Sequence, residues 1–162
     1  MNRRGYNNLA RQYADNLYKF VLFHLRDEAT SQDIVQEAFL KLWERRKEVD
    51  EDKAVKWLFV TARNLYLNYI RHKNVIQNYK DRVEMTAYVE NSRFENKDMI
   101  AHCLEDMSEV QKTVMLLRDL EGYDYKSIGE IAGISESQVK VYLYRARKKF
   151  REEYKKLQNE SK

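Results

Sequence analysis

Apolar residues return at helical spacing along most of the chain. Tyr13, Leu17, Phe20, Val21 and His24 form one such series and predict a first helix with a single buried stripe. Thr30 or Ser31 can cap a second helix beginning near Gln32. In the segment DIVQEAFLKLWERR, Asp33 to Arg46, a turn of about 100° per residue puts Ile34, Val35, Ala38, Phe39 and Leu42 on one arc. Gln36, Leu40 and Trp43, flanked by Asp33 and Glu44, fall on another. A third helix covers roughly Lys53 to Arg71, with Trp57, Leu58, Val60, Thr61, Leu65 and Tyr69 among its regular positions. From about Asn74 to Glu95 the period lapses into Asn, Asp, Glu and scattered aromatics. Four more helices are expected from about Asn96. The fold class is therefore all-α. Two small helical domains, residues 1–74 and 96–162, are expected on a flexible linker, residues 75–95.

The last periodic stretch carries more than amphipathicity. In YKSIGEIAGISESQVKVYLYRARKKF, Ile128, Ile131 and Ala132 face inward on a short helix. Gly129 offers a small surface where the second helix can cross closely, and Gly133 suits a turn that needs a left-handed backbone. Ile134 plugs that turn. Ser135 with Gln138 three residues on fits a capping box. Val139, Leu143, Ala146 and Phe150 then make one buried stripe. Ser137, Gln138, Lys140, Tyr144, Arg145 and Lys148 lie on the opposite faces. Polar and cationic outside, apolar inside, this is the pattern of a helix-turn-helix whose second helix enters the major groove. Lys140 and Arg145 could reach guanine edges or phosphates, and Gln138 could pair with adenine. Arg147, Lys148, Lys149 and Arg151 are expected to anchor phosphates.

Composition supports the helical reading and narrows the chemistry. Pro is absent and Gly occurs only 4 times, so the two strongest helix breakers are nearly missing. No apolar run is long enough for membrane insertion, no secretory signal opens the chain, and a cytoplasmic location is expected. The single Cys103 excludes an internal disulfide and a multi-cysteine zinc site. His24, His72 and His102 are spread apart, so no metal, cofactor or catalytic group is expected, and the protein is not read as an enzyme.

Net charge is only +4, but its distribution is uneven. Residues 53–80 carry Lys53, Lys56, Arg63, Arg71, Lys73 and Lys80 with no acid. Residues 137–151 carry Lys140, Arg145, Arg147, Lys148, Lys149 and Arg151, again with none. An acidic segment, residues 81–106, lies between them. Basic zones of this kind attract a phosphate backbone. On the first, WLFVTARNLYLNYIRHKN, aromatics, cations and asparagines interleave, and Asn64 and Asn68 share a face. Stacking platforms, edge donors and cations together suit single-stranded bases, although such aromatics also serve as core. The Gln36–Leu40–Trp43 face is open to two readings, burial on both sides of a small bundle or a docking face for a partner.

The segments DIVQEAFLKLW, WLFVTARNLYLNYIR and SQVKVYLYRARKKF, in that order, resemble three helices of a bacterial extracytoplasmic-function RNA polymerase sigma factor. That class is the compact, two-domain branch of the sigma-70 family. The resemblance covers about Tyr13 to Asn74 and Asn96 to Arg151. It implies that Asp33, Gln36, Glu37, Leu40 and Trp43 dock on the β′ clamp coiled coil of core RNA polymerase. It implies that Arg63, Asn64, Asn68, Arg71 and Asn74 bind the melted strand of the −10 element, with a flipped base in a pocket made by the loop after this helix. Ser137, Gln138, Lys140, Val141, Tyr144, Arg145 and Lys148 would contact the −35 element as duplex. The β flap of the polymerase, promoter DNA and an anti-sigma factor or other regulatory partner are the further partners implied. The linker around Val75 to Glu95 would thread toward the active-site cleft. Ser137-Gln138 stand where the family usually has Gly-Thr, and Ser108-Glu109 where it usually has Pro. A different reading of the same helices is a stand-alone helix-turn-helix regulator with a sensing or dimerising N-terminal domain.

Overall fold

A computed structural model of the chain describes residues 1–79 and 96–160, and every regular element among them is helical. They divide into two compact units, one of Met1–His72 with Glu130–Gly133 and the other of Lys73–Gly129 with Ile134–Lys162.

The first unit holds α1 (Arg3–Leu25), α2 (Glu28–Glu44), a 3-10 turn (Glu51–Lys53) and most of α3 (Ala54–Tyr79). Asn2 caps α1 by accepting from the Gly5 N–H at 2.8 Å. The helix stops at Arg26, whose φ of 56° turns the chain left-handed and lets its N–H reach the Leu22 carbonyl. This turn sets Asp27 as the cap of α2: its carboxylate accepts from the backbone N–H of Thr30 at 3.2 Å and from the Thr30 hydroxyl at 3.0 Å. Thr30 and Ser31, expected as caps, are thus inside the helix, because Asp27 takes the role a full turn earlier. On α2 the expected arc of Ile34, Val35, Ala38, Phe39 and Leu42 is buried. It meets Leu9, Leu17, Phe20 and Val21 of α1.

α3 contributes Ala54, Leu58, Phe59, Ala62 and Tyr66 to this core. Phe20 packs edge-on against Phe59 at 5.2 Å and Tyr66 at 6.0 Å, and His24 stacks on Tyr66 at 4.4 Å. Of the positions expected from periodicity, Leu58 is buried, while Trp57, Val60, Thr61, Leu65 and Tyr69 are half-buried. Tyr66 and Phe59, not Trp57 and Tyr69, are the core aromatics. The helix also runs longer than expected, so residues 75–79 continue it. The rest of the anticipated linker lies outside the described residues.

The second unit holds α4 (Asn96–Leu104), α5 (Glu109–Met115), a π-helical turn (Leu116–Leu120), the greater part of α6 (Tyr125–Ala132) and α7 (Glu136–Glu160). Ser108 and Gln111 form a capping box at the start of α5, so Ser does here what Pro would do by fixing the first turn. Cys103, Leu104, Val114, Leu116 and Leu117 are buried with Val139, Leu143 and Ala146 of α7, while Phe150, expected at the end of that stripe, is half-buried. Burial pushes the Cys103 thiol above its ordinary pKa, with Glu153 adding to the effect.

Two glycines shape the α6–α7 turn. Gly133 has φ +71°, which favours glycine. A Cβ on Gly129 would lie 2.7 Å from the Ile134 carbonyl oxygen, while the Ile134 N–H donates to the Gly129 carbonyl at 3.0 Å. The close partner is thus the backbone of the turn rather than the following helix. Gly129→Ala gains up to ~1 kcal/mol of helix propensity but forces that turn apart, an overpacking cost of about 1–3 kcal/mol. A net loss of about 1–2 kcal/mol is expected, read as a lower denaturant midpoint at unchanged slope; a stabilised variant would refute the close approach.

Candidate nucleic-acid and docking surfaces

The outer face of α7 is assembled by its stripe. With Val139, Leu143 and Ala146 buried, residues at steps of three and four on the far side must point to solvent. Ser137, Lys140, Val141, Tyr144, Arg145 and Lys148 are all exposed there. Val141 is 46% and Tyr144 68% exposed, large enough to put apolar surface beside the cations. The helix begins with the expected capping box. The Gln138 N–H donates to Ser135 Oγ at 3.2 Å, and the Ser135 N–H donates to Gln138 Oε1 at 2.9 Å. Gln138 is exposed, but its side-chain oxygen is committed to the cap, so the bidentate pairing with adenine is not preformed.

Two of the expected phosphate anchors are tied back as well. Arg147 forks onto Asp119, and Lys149 donates to the Asp106 carbonyl at 2.6 Å. Asp119 raises the Arg147 pKa by accepting its hydrogen bonds. Lys140 lies 5.9 Å from the Tyr125 ring, and Arg118 is 4.9 Å from the same ring, a contact the sequence reading did not anticipate. A concavity of about 340 Å³ is lined by Tyr125, Lys140, Leu143, Tyr144, Arg147 and Arg151. The surface can hold anions along one edge and present apolar atoms and donors along the other.

On α2, Asp33, Gln36, Glu37 and Leu40 are exposed on one side of the helix, and Leu40 is 55% exposed. Glu37 pairs loosely with Lys41 at 4.0 Å. Trp43 continues this row but is only half-exposed. Its ring meets Tyr6 edge-on at 5.0 Å and lies 3.9 Å from the Arg46 guanidinium. The two residues thus differ: Leu40 is exposed, whereas Trp43 is partly taken up by contacts inside the unit. Sequence reasoning missed Tyr6, whose hydroxyl donates to the Phe39 carbonyl at 2.9 Å.

On α3, Asn64, Asn68 and Arg71 are exposed within about 60° of one another, and Asn74 is exposed to one side. Arg63 is half-buried on that same side. No loop follows at Asn74, because the helix continues to Tyr79; a pocket beyond it falls outside the described residues. The concavity that is described precedes α3, about 320 Å³ in volume and lined by Arg45, Glu48, Val49, Asp50, Lys53 and Trp57.

The geometry of both units has counterparts. Residues 9–75 match the family model "Sigma-70 region 2", and residues 97–150 match "Sigma-70, region 4". The chain is 25% identical to "ECF RNA polymerase sigma factor SigM" of Bacillus subtilis (strain 168), covering 91% of this chain and 94% of that protein. It is 24% identical to "RNA polymerase sigma factor CarQ" of Myxococcus xanthus, covering 91% and 88%. Among solved structures, the sigma factor RpoE in complex with the anti-sigma factor NepR from Bartonella quintana is similar in fold. Its TM-score is 0.79 at 20% identity, covering 92% of this chain and 96% of that one.

Proposed function

The chain belongs to the sigma-70 family, in its extracytoplasmic-function class, and on that premise we propose a role for each exposed face. The protein binds core RNA polymerase and directs promoter-specific transcription initiation. Residues 1–74 act as region 2 and residues 96–162 as region 4, with 75–95 as the tether. The observation that carries the reading is the outer face of α7, where Lys140, Val141, Tyr144, Arg145 and Lys148 stand together on a properly capped helix. Those residues and Ser137 grip the −35 duplex. Gln138 sits at the same end but serves first as the cap.

Asn64, Asn68, Arg71 and Asn74, with Arg63 beside them, take the melted −10 strand. Their exposure on one side of α3 supports this, since stacked and splayed bases need edge donors and cations together. Asp33, Gln36, Glu37 and Leu40 dock on the β′ clamp coiled coil, with Trp43 supporting the row from behind. The β flap is the second contact on the polymerase. An anti-sigma factor or other regulatory partner completes the set of partners. The family is one of non-enzymatic initiation factors, so catalysis belongs to the polymerase, and we place the protein with it in the cytoplasm. No described helix is long and apolar enough to cross a membrane.

The test is transcription in vitro by purified core polymerase on a promoter library, with and without the protein. Transcripts that share an upstream and a −10 element are expected only in its presence. Failure to associate with core would favour the stand-alone regulator, and transcripts sharing no upstream element would remove region 4 as the main reader.

A further inference from the structure

Arg147 lies on the recognition helix, yet it does not stand among the free cations of the outer face. Its Nε and Nη2 donate to the two carboxylate oxygens of Asp119, at 3.2 and 2.6 Å. Asp119 belongs to the π-helical turn after α5. That turn closes with the Glu121 N–H on the Leu116 carbonyl, one residue wider than an α-turn, which re-aims the side chains that follow. Arg118 of the same turn donates to the Tyr123 carbonyl at 2.9 Å and lies over Tyr125, the first residue of α6. Lys140 of α7 approaches that ring too. So Arg118 fastens the π-helical turn to the start of α6, and the Arg147 fork fastens it to the middle of α7. A fork of this kind fixes a planar guanidinium in orientation and cancels its charge locally.

We propose that Asp119 is a positioning residue that withdraws Arg147 from the phosphate-gripping cations and makes it a strut fixing α7 against the π-helical turn. The inference rests on reading α7 as the duplex-binding helix. It sets Arg147, which orients, apart from Lys140, Arg145 and Lys148 of the outer face, which grip. Charge counted along the sequence therefore overstates the grip.

The number of phosphates neutralised is read from the salt dependence of binding, a slope of about −0.9 per contact for B-DNA. The full chain is titrated by anisotropy against a short fluorescent duplex of mixed sequence over a range of salt. Asp119→Asn frees the guanidinium and is expected to steepen the slope by ~0.9. Asp119→Asn combined with Arg147→Gln removes the pair together and is expected to leave the wild-type slope. Asp119→Glu re-forms the pair and is expected to restore it. A double variant flattened by ~0.9 would mean that Arg147 already holds a phosphate, and would overturn the proposal. An unsteepened slope in folded Asp119→Asn would overturn it equally. Both side chains are partly exposed, and the double variant leaves no unpaired charge, so it carries the test if the single variant is unstable. Wild-type binding without salt dependence would instead remove the duplex reading itself.

Discussion

Lys140→Glu combined with Arg145→Glu is expected to abolish duplex binding by the full chain while leaving the fold and polymerase association intact. Both residues are exposed on the face opposite Val139 and Leu143, so neither supports the core. Losing two cationic contacts costs about 2–6 kcal/mol if they read bases, or about 1.8 in salt slope if they hold phosphates. Two new carboxylates against the phosphates add repulsion to either. On the order of a 10³-fold loss follows at moderate salt, enough to bring specific binding to the level of background. Anisotropy at several salt concentrations measures it, with circular dichroism as the control for folding. Unchanged affinity at low salt would sink the assignment of α7.

Leu40→Arg is the corresponding test of the first unit. Leu40 is 55% exposed, and Arg has nearly the same helix propensity, so stability should move by no more than ~0.5 kcal/mol. A desolvated interface cannot absorb the new charge. The row around it is otherwise acidic, Asp33, Glu37 and Glu44, so it fits a basic partner that the Arg would repel. Core polymerase affinity is expected to fall at least ~30-fold, the size of an interface hot spot. Lys41→Ala, one residue along on the same helix, should cost little. Equal affinity of Leu40→Arg and wild type would remove this face from the docking surface.

Much of this was legible in the sequence where one period acts alone. The α2 arc, the Ser135–Gln138 cap, Gly133 and the α7 stripe all follow from spacing and backbone chemistry within a few residues. Legibility failed where several residues compete for one task. Asp27, Thr30 and Ser31 can all cap a helix, and only the left-handed Arg26 decides among them. In α3 aromatics occur on more than one face, so period alone cannot rank Tyr66 over Tyr69. It failed again where partners are remote in the chain. Tyr6 reaches the Phe39 carbonyl from another helix, and the Arg147–Asp119 fork depends on a π-helical turn that no spacing rule announces. The cations of α7 look alike in a string of letters, and their neighbours divide them.

The protein has only 2 tryptophans, Trp43 and Trp57, and both belong to the first unit. Trp43 continues Leu40's row, with the Arg46 guanidinium and the Tyr6 ring against its own ring. Tryptophan emission therefore comes from the first unit alone, while the second unit is dark at tryptophan wavelengths. The unlabelled molecule carries a built-in optical reporter for events at one of its two units and is silent about the other.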